Sequence, residues 1–283
     1  MSKENFENVD LENNKAADEP QPVKESCWNR FTSWYWGPNI KEYINPDERP
    51  VMNFKALMAF RIFLTVLLLI NLFYRLGYTA NDGASTFFRY QLYFTSWSLY
   101  ITIYTEIWII CVSFKNNKNG VDLEDKTQVN LLKHNHIFMI LTLAMESVTT
   151  LMYWIAIYEY DSKFSVREVS GMLDHILPLI VILFEFFSNG WVLYQRQTVV
   201  IFTLFTYFPV NISYSIFGPR DLYEMLPWDT VMSYVFVLVI FGIAFGGHAI
   251  YALYSQCRYN KGKKENKDKK VSQEPSSEME KSS

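Results

Sequence analysis

Cysteine, glycine and charge are all scarce in this chain of 283 residues, and each scarcity removes support for a class of function. Three cysteines cannot build the disulfide framework of a small secreted domain. Eleven glycines form no phosphate-cradling loop, and neither a CxxC pair nor a G-x-S-x-G elbow occurs. Charged side chains make up 19% of the chain and leave a net charge of −3, which implies no nucleic-acid partner. The first 50 residues contain no apolar core, so no cleavable signal peptide is expected and the first apolar run is read as an uncleaved membrane signal.

What the chain has instead is apolar and aromatic surface, with 50% hydrophobic and 17% aromatic residues. It is gathered into six runs, at 55–76, 90–114, 132–157, 171–194, 198–217 and 228–256. Each is long enough to cross a hydrocarbon core about 30 Å thick. Only helices and closed barrels satisfy every backbone group in lipid, and runs without strict alternation favour helices. The prediction is an all-α membrane protein: a six-transmembrane-helix bundle over 51–258. A polar, mostly disordered cytoplasmic arm is expected over 1–50, and a Lys-rich disordered cytoplasmic tail over 259–283. Within the arm, helical spacing puts Trp28, Phe31, Trp34 and Tyr35 near one face suited to lipid headgroups. The tail's KGKKENKDKK suits either an anionic leaflet or plain solvation.

Orientation follows from the basic residues. Lys41, Arg49, Lys55, Lys115, Lys118, Lys126, Lys133, Arg196 and the cluster from Arg258 to Lys270 flank one side of the spans. The other side holds Arg75, Arg89, Lys163, Arg167 and Arg220. The positive-inside rule puts both termini in the cytoplasm, of an endoplasmic reticulum or plasma membrane protein. Cys27, Cys111 and Cys257 then fall on the reducing side, and Cys257 fits either a palmitoylation site or an ordinary thiol.

Ionisable residues inside spans are expensive and mark functional hypotheses. Here they are Arg61, Glu106, Glu146, Asp174, His175, Glu185, Asp229 and His248, with His134 and His136 at a helix start. The second and fourth spans both enter from the non-cytoplasmic side. Helix rise therefore puts Thr95 and His175 within about one turn of each other in depth. A threonine hydroxyl needs a base to take its proton as it attacks, and neutral imidazole is the usual choice. Asp229 enters from the same side and either orients that imidazole or ends a loop. Thr95, Ser98, Thr102 and Glu106 share one helix face, whose bland reading is hydrogen-bonding glue between helices. Ser96, Trp97 and Tyr100 are candidate oxyanion donors. Glu106, Glu146 and Glu185 would line the path of a carrier. His134-x-His136 could hold a metal. Stacked bis-histidine haems fail on ligand count, while one haem between the third and sixth spans stays open. No cofactor is otherwise implied.

Three stretches, YFTSWSLY around Thr95, LDHILPLIVILFEF around His175 and EMLPWDTVMSYVFVLVIFGIAFGGHAIYALYSQCR, resemble the androgen-induced membrane protein family and its Rolling stone-like relatives. The likeness extends over roughly 50–258, with six spans in the same order. It implies a threonine hydrolase that cleaves lipid esters such as fatty acid esters of hydroxy fatty acids, with Thr95 as nucleophile and His175 as base. Asp174, Asp229, Ser98 and Trp97 are the expected supporting residues. The partners implied are membrane lipids and a lipid ester substrate. Asp174 stands where those enzymes tend to have Asn, and Pro178 lies where they carry a second His. The Rolling stone-like relatives imply the alternative, a non-enzymatic multi-pass protein acting in fusion, as a scaffold or as a subunit of a complex.

Overall fold

A computed structural model describes residues 26–37, 40, 44, 51–157, 166–218, 222–223, 226 and 228–273, of which 156–157, 166–168 and 266–273 as backbone alone. Most of the arm expected over 1–50, and the last ten residues of the tail, lie outside the described residues. No strand occurs among the described residues. The chain divides into two units, Met1–Pro38 and Asn39–Ser283.

The first unit contributes helix α1, Cys27–Trp36. Ser26 caps it by accepting the Asn29 N–H at 3.1 Å. Trp28, Phe31 and Trp34 are exposed and their rings adjoin along one face, as the spacing predicts, while Tyr35 is buried.

Among its described residues the second unit holds six helices long and apolar enough to cross a membrane. They are α2 (Phe54–Asn81), α4 (Phe94–Asn119), α5 (Lys126–Met152), α6 (Val166–Ser188), a fifth span over Gln195–Phe217 and α8 (Val231–Gln273). The expected spans are all present, and the differences have local causes. The second does not begin at 90: a short helix α3, Ala84–Leu92, precedes it and breaks at Tyr93, whose ψ of 140° is extended. The third begins earlier, at Lys126, because Asp125 caps it through the Thr127 N–H at 2.8 Å. The fourth ends at Ser188, before Asn189-Gly190. The fifth is a 3-10 helix over Gln195–Thr206 that relaxes to α7, Tyr207–Phe217. That change of pitch falls two residues ahead of Pro209, whose missing N–H removes the next i→i−4 bond. The sixth overruns 258 and stays helical to Gln273, so the expected tail is helical over 259–273. Its run of lysines and glutamates consists of good helix formers that continue a turn already begun.

The third span is the centre of the bundle. Of its most apolar stretch 72% is buried, against 22% for the fifth and for the sixth. It packs on the second, fourth, fifth and sixth spans, while the first packs on the second and fourth. One core cluster joins Ala144, Met145 and Val148 to Ile201, Leu204, Phe241 and Ala244. Another joins Leu68 to Leu99, Ile103 and Val181. Phe60, Phe63, Phe73, Leu238, Ile250 and Leu253 point outward, an apolar surface suited to lipid rather than water.

Among the described residues two ion pairs tie the first span to the fourth, one fully buried and one whose arginine is half-buried. The Arg61 guanidinium grips Glu185 with Nε at 2.8 Å from one oxygen and Nη2 at 2.7 Å from the other. A third donor, Nη1, reaches the Ser113 hydroxyl at 2.8 Å. Asn189 and the Trp191 indole also donate to Glu185 Oε1, at 2.8 and 3.3 Å. Towards the other end, Arg75 pairs with Asp174, which also accepts from Asn71 Nδ2 at 2.7 Å. Desolvation makes such pairs weak net stabilisers, but removing one partner strands a buried charge. Arg61→Ala is therefore expected to lose about 3–5 kcal/mol of stability, and Arg61→Met with Glu185→Leu to regain most of it. Thermal unfolding of the three variants in detergent measures this; equal midpoints for the single and double variants would rule it out.

Candidate functional site

A break in a transmembrane helix frees carbonyls on one side and N–H groups on the other, and lipid offers them no partner. At Tyr93 side chains answer that need. The Ser96 hydroxyl donates to the Tyr90 carbonyl at 2.5 Å and the Trp97 indole to the Gln91 carbonyl at 2.9 Å. Tyr100 donates to the Gln91 side chain. The Tyr207 hydroxyl donates to the Leu92 carbonyl at 2.9 Å, while the Phe94 N–H donates to the Tyr223 hydroxyl, also at 2.9 Å. The two tyrosine hydroxyls are hydrogen-bonded to each other. Burial pushes the Tyr223 hydroxyl well above the usual tyrosine range, so it stays protonated. Across the break, burial and then the neighbouring Asp174 push Tyr90 up to about 12.

Thr95 sits in the first turn after this break. Thr102 and Thr105 donate to the carbonyls four residues back, at 2.9 and 2.7 Å. The corresponding carbonyl for Thr95 is that of Gln91, which lies across the break and already accepts from Trp97. The Thr95 hydroxyl makes no hydrogen bond among the described residues.

His175 is placed by the third and fourth spans. At the end of α5 the chain widens into one π-helical turn, Tyr153–Ile157. The Tyr153 ring lies flat on the imidazole, with centroids 4.0 Å apart and planes 15° from parallel. A side chain at Gly171 would stand 3.7 Å from the Tyr153 hydroxyl, in ordinary contact. Thr150 donates to the main-chain carbonyl of His175. The neighbouring carbonyl, of Asp174, is the one that loses its helical donor to Pro178. Nδ1 of His175 is buried and has no hydrogen-bond partner among the described residues.

Thr95 and His175 line one cavity of about 60 Å3. Its apolar wall includes Val148, Met152, Leu204, Phe208, Leu226 and Ile240, and its other polar groups come from Thr149, Tyr207 and Tyr223. No hydrogen bond joins the threonine to the imidazole among the described residues. The other expected residues lie elsewhere. Asp174 turns to Arg75 and Asn71. Ser98 donates to Glu146 at 2.6 Å. Trp97 holds Gln91 and packs edge-on against Tyr207 at 5.3 Å. Asp229 is exposed in the turn that leads into α8, the loop-ending alternative. Its neighbour Trp228 has a φ of 49° and is held by its indole donating to Asn211 at 2.6 Å. The candidate oxyanion donors Ser96, Trp97 and Tyr100 all close the helix break instead.

Sequence reasoning missed Tyr153, Tyr207 and Tyr223. Nothing distinguishes them among 19 tyrosines until the break at 93 and the π turn at 153 are known. The remaining histidines each have a partner. His134 meets the Tyr104 hydroxyl at 2.7 Å, His136 meets Gln197 at 3.1 Å and His248 the Tyr194 carbonyl at 3.1 Å. Among the described residues no three His, Cys, Asp or Glu side chains gather as a metal site. Comparison of the chain with protein-family models, curated proteins and solved structures gives no match.

Tyr223→Phe removes the acceptor of the Phe94 N–H and should destabilise the fold by about 1–3 kcal/mol. Hydrogen exchange at the Phe94 amide should accelerate with it. An unchanged exchange rate would show that the tyrosine does not seal the break.

Proposed function

We propose that this membrane protein is an intramembrane threonine hydrolase acting on lipid esters such as fatty acid esters of hydroxy fatty acids. The observation that carries the reading is the shared cavity: Thr95, whose hydroxyl is uncommitted, and His175, whose Nδ1 is buried without a partner among the described residues, both line it. A volume of about 60 Å3 takes an ester group or about two waters. The acyl arms of a substrate would lie beyond it, along the lipid-facing surface.

The reaction follows from these groups. Thr95 Oγ attacks the ester carbonyl while His175 takes its proton, directly or through one water. The carbonyl π electrons move to oxygen, giving a tetrahedral oxyanion. The Thr95 N–H in the first helical turn is the donor available to it, since the Tyr223 proton goes to the Tyr207 oxygen. As the oxyanion collapses, the C–O bond to the alcohol breaks and the imidazolium returns its proton to that alcohol. Water, deprotonated by the same imidazole, then cleaves the acyl-threonine to release the acid. The Lys and Arg distribution supports cytoplasmic termini, and the reaction needs no cofactor. An endoplasmic reticulum or plasma membrane location accompanies this reading.

The alternative, a non-enzymatic fusion, scaffold or complex subunit, is favoured by one observation: the pair makes no hydrogen bond with each other among the described residues. A fluorophosphonate probe separates the two. Purified wild-type protein should be labelled on Thr95, Thr95→Ala not at all, and His175→Ala about 100-fold more slowly or worse. Labelling that persists unchanged in both variants would discard the hydrolase.

A further inference from the structure

Glu146 lies on the third span, at the bundle centre, with no surface exposed. Its Oε1 accepts the Ser98 hydroxyl at 2.6 Å and the Thr102 hydroxyl at 2.5 Å. Its Oε2 is buried without any hydrogen-bond partner among the described residues, and Glu146 makes no ion pair there. We propose that Glu146 is a proton-binding site in the membrane interior, loading and unloading a proton on its unpartnered carboxyl oxygen.

The charges on every element around it are engaged elsewhere. On the first span, Arg61 serves Glu185 and Arg75 serves Asp174. On the second, Glu106 lies within electrostatic reach of Arg61 and Glu185. On the fourth, His175 lies flat against Tyr153. The fifth brings Arg196, which covers the Tyr194 ring with 4.8 Å to its centroid. On the sixth, His248 meets the Tyr194 carbonyl at 3.1 Å and Tyr251 meets Ser147 at 3.0 Å. On the third itself, His136 meets Gln197 at 3.1 Å. An isolated carboxylate in such a place is strongly disfavoured, and protonation is the ordinary remedy.

A bound cation does not fit. Oxygens around an ion at about 2.3–2.6 Å stand more than about 3 Å from one another. The oxygens here are 2.5–2.6 Å apart, the spacing of hydroxyls donating to a carboxyl oxygen. The proton is bound on Oε2 and released when water reaches the bundle interior. The site stands on Glu146, Ser98 and Thr102 alone and is independent of any hydrolase activity.

A hydrophobic carbodiimide tests this on the full-length protein in lipid nanodiscs. A neutral carboxylic acid gives its proton to a carbodiimide nitrogen and adds through oxygen to the central carbon, then rearranges to a stable N-acylurea. Peptide mass spectrometry should find that adduct on Glu146, resolved from Glu106, with a yield that falls as pH rises. Thr102→Ala removes a donor to the anion and should move the midpoint upward by at least about one pH unit. Infrared spectra should show a protonated-carboxyl band that Glu146→Gln, which keeps the carbonyl acceptor, abolishes. No adduct on Glu146 at any pH in folded wild-type protein overturns the proposal, as does a yield independent of pH. Protection by sodium at fixed pH would mean a cation site instead.

Discussion

In lipid a backbone group left unpaired has no water to turn to, and that single constraint organises one end of this bundle. The second span begins just after Tyr93, an extended residue that separates α3 from α4. The Tyr90 carbonyl keeps only the Tyr93 N–H, at 3.3 Å, and the carbonyls of Gln91 and Leu92 and the N–H of Phe94 face the break. Ser96, Trp97, Tyr207 and Tyr223 satisfy them, and two of these come from other parts of the chain. The break is thus closed only when the fifth span and the segment after it are in place. It is also what turns a first helical turn, with its N–H groups, towards a cavity at membrane depth.

The two ion pairs between the first and fourth spans act at different heights and fix how those helices lie together. Arg61 with Glu185 makes a bidentate clamp, and Arg75 with Asp174 sits one residue from His175. The fourth helix is weakened between them by Pro178, which takes one hydrogen bond out of its ladder. Thr150 supplies a donor there from the third span, so a helix that proline would loosen is held by its neighbour. The imidazole is then bracketed by its own anchored backbone and by the flat face of Tyr153. Such an arrangement, together with a hydrogen bond from the ring to the Thr149 main chain, fixes the imidazole and leaves Nδ1 without a bond among the described residues.

Much of the fold was legible in the sequence because hydrophobic length is a direct physical requirement of the bilayer. The six spans and their order follow from it, and errors fall at ends, where caps and helix breaks decide. The start at Lys126 needed Asp125 as a cap, and the run through Gln273 needed helix propensity to outweigh a solvated composition. The placing of Thr95 and His175 on one cavity agrees with an argument from helix rise alone. Their surroundings were not accessible that way. Asp174 looked like a helper for the imidazole by adjacency, yet consecutive residues on a helix point about 100° apart, and this one faces Arg75. Asp229 and the tyrosines depend on loops whose paths no periodicity encodes.

The polar face of the second span shows how one helix can carry architecture and a candidate reactive group together. Ser98 and Thr102 bind Glu146 and join the second span to the third, as hydroxyls in membranes commonly do. Thr105 continues the seam by meeting Thr142 at 2.9 Å. Each of these hydroxyls sits where the helix is intact or a partner helix is close. Thr95 differs in one respect: it follows the break, so the carbonyl that would ordinarily accept its proton is out of reach. The same residue type on the same face is therefore inert glue below the break and chemically uncommitted above it. What separates the two states is the extended backbone of Tyr93, so the freedom of the Thr95 hydroxyl depends on the tyrosine pair that keeps the break closed.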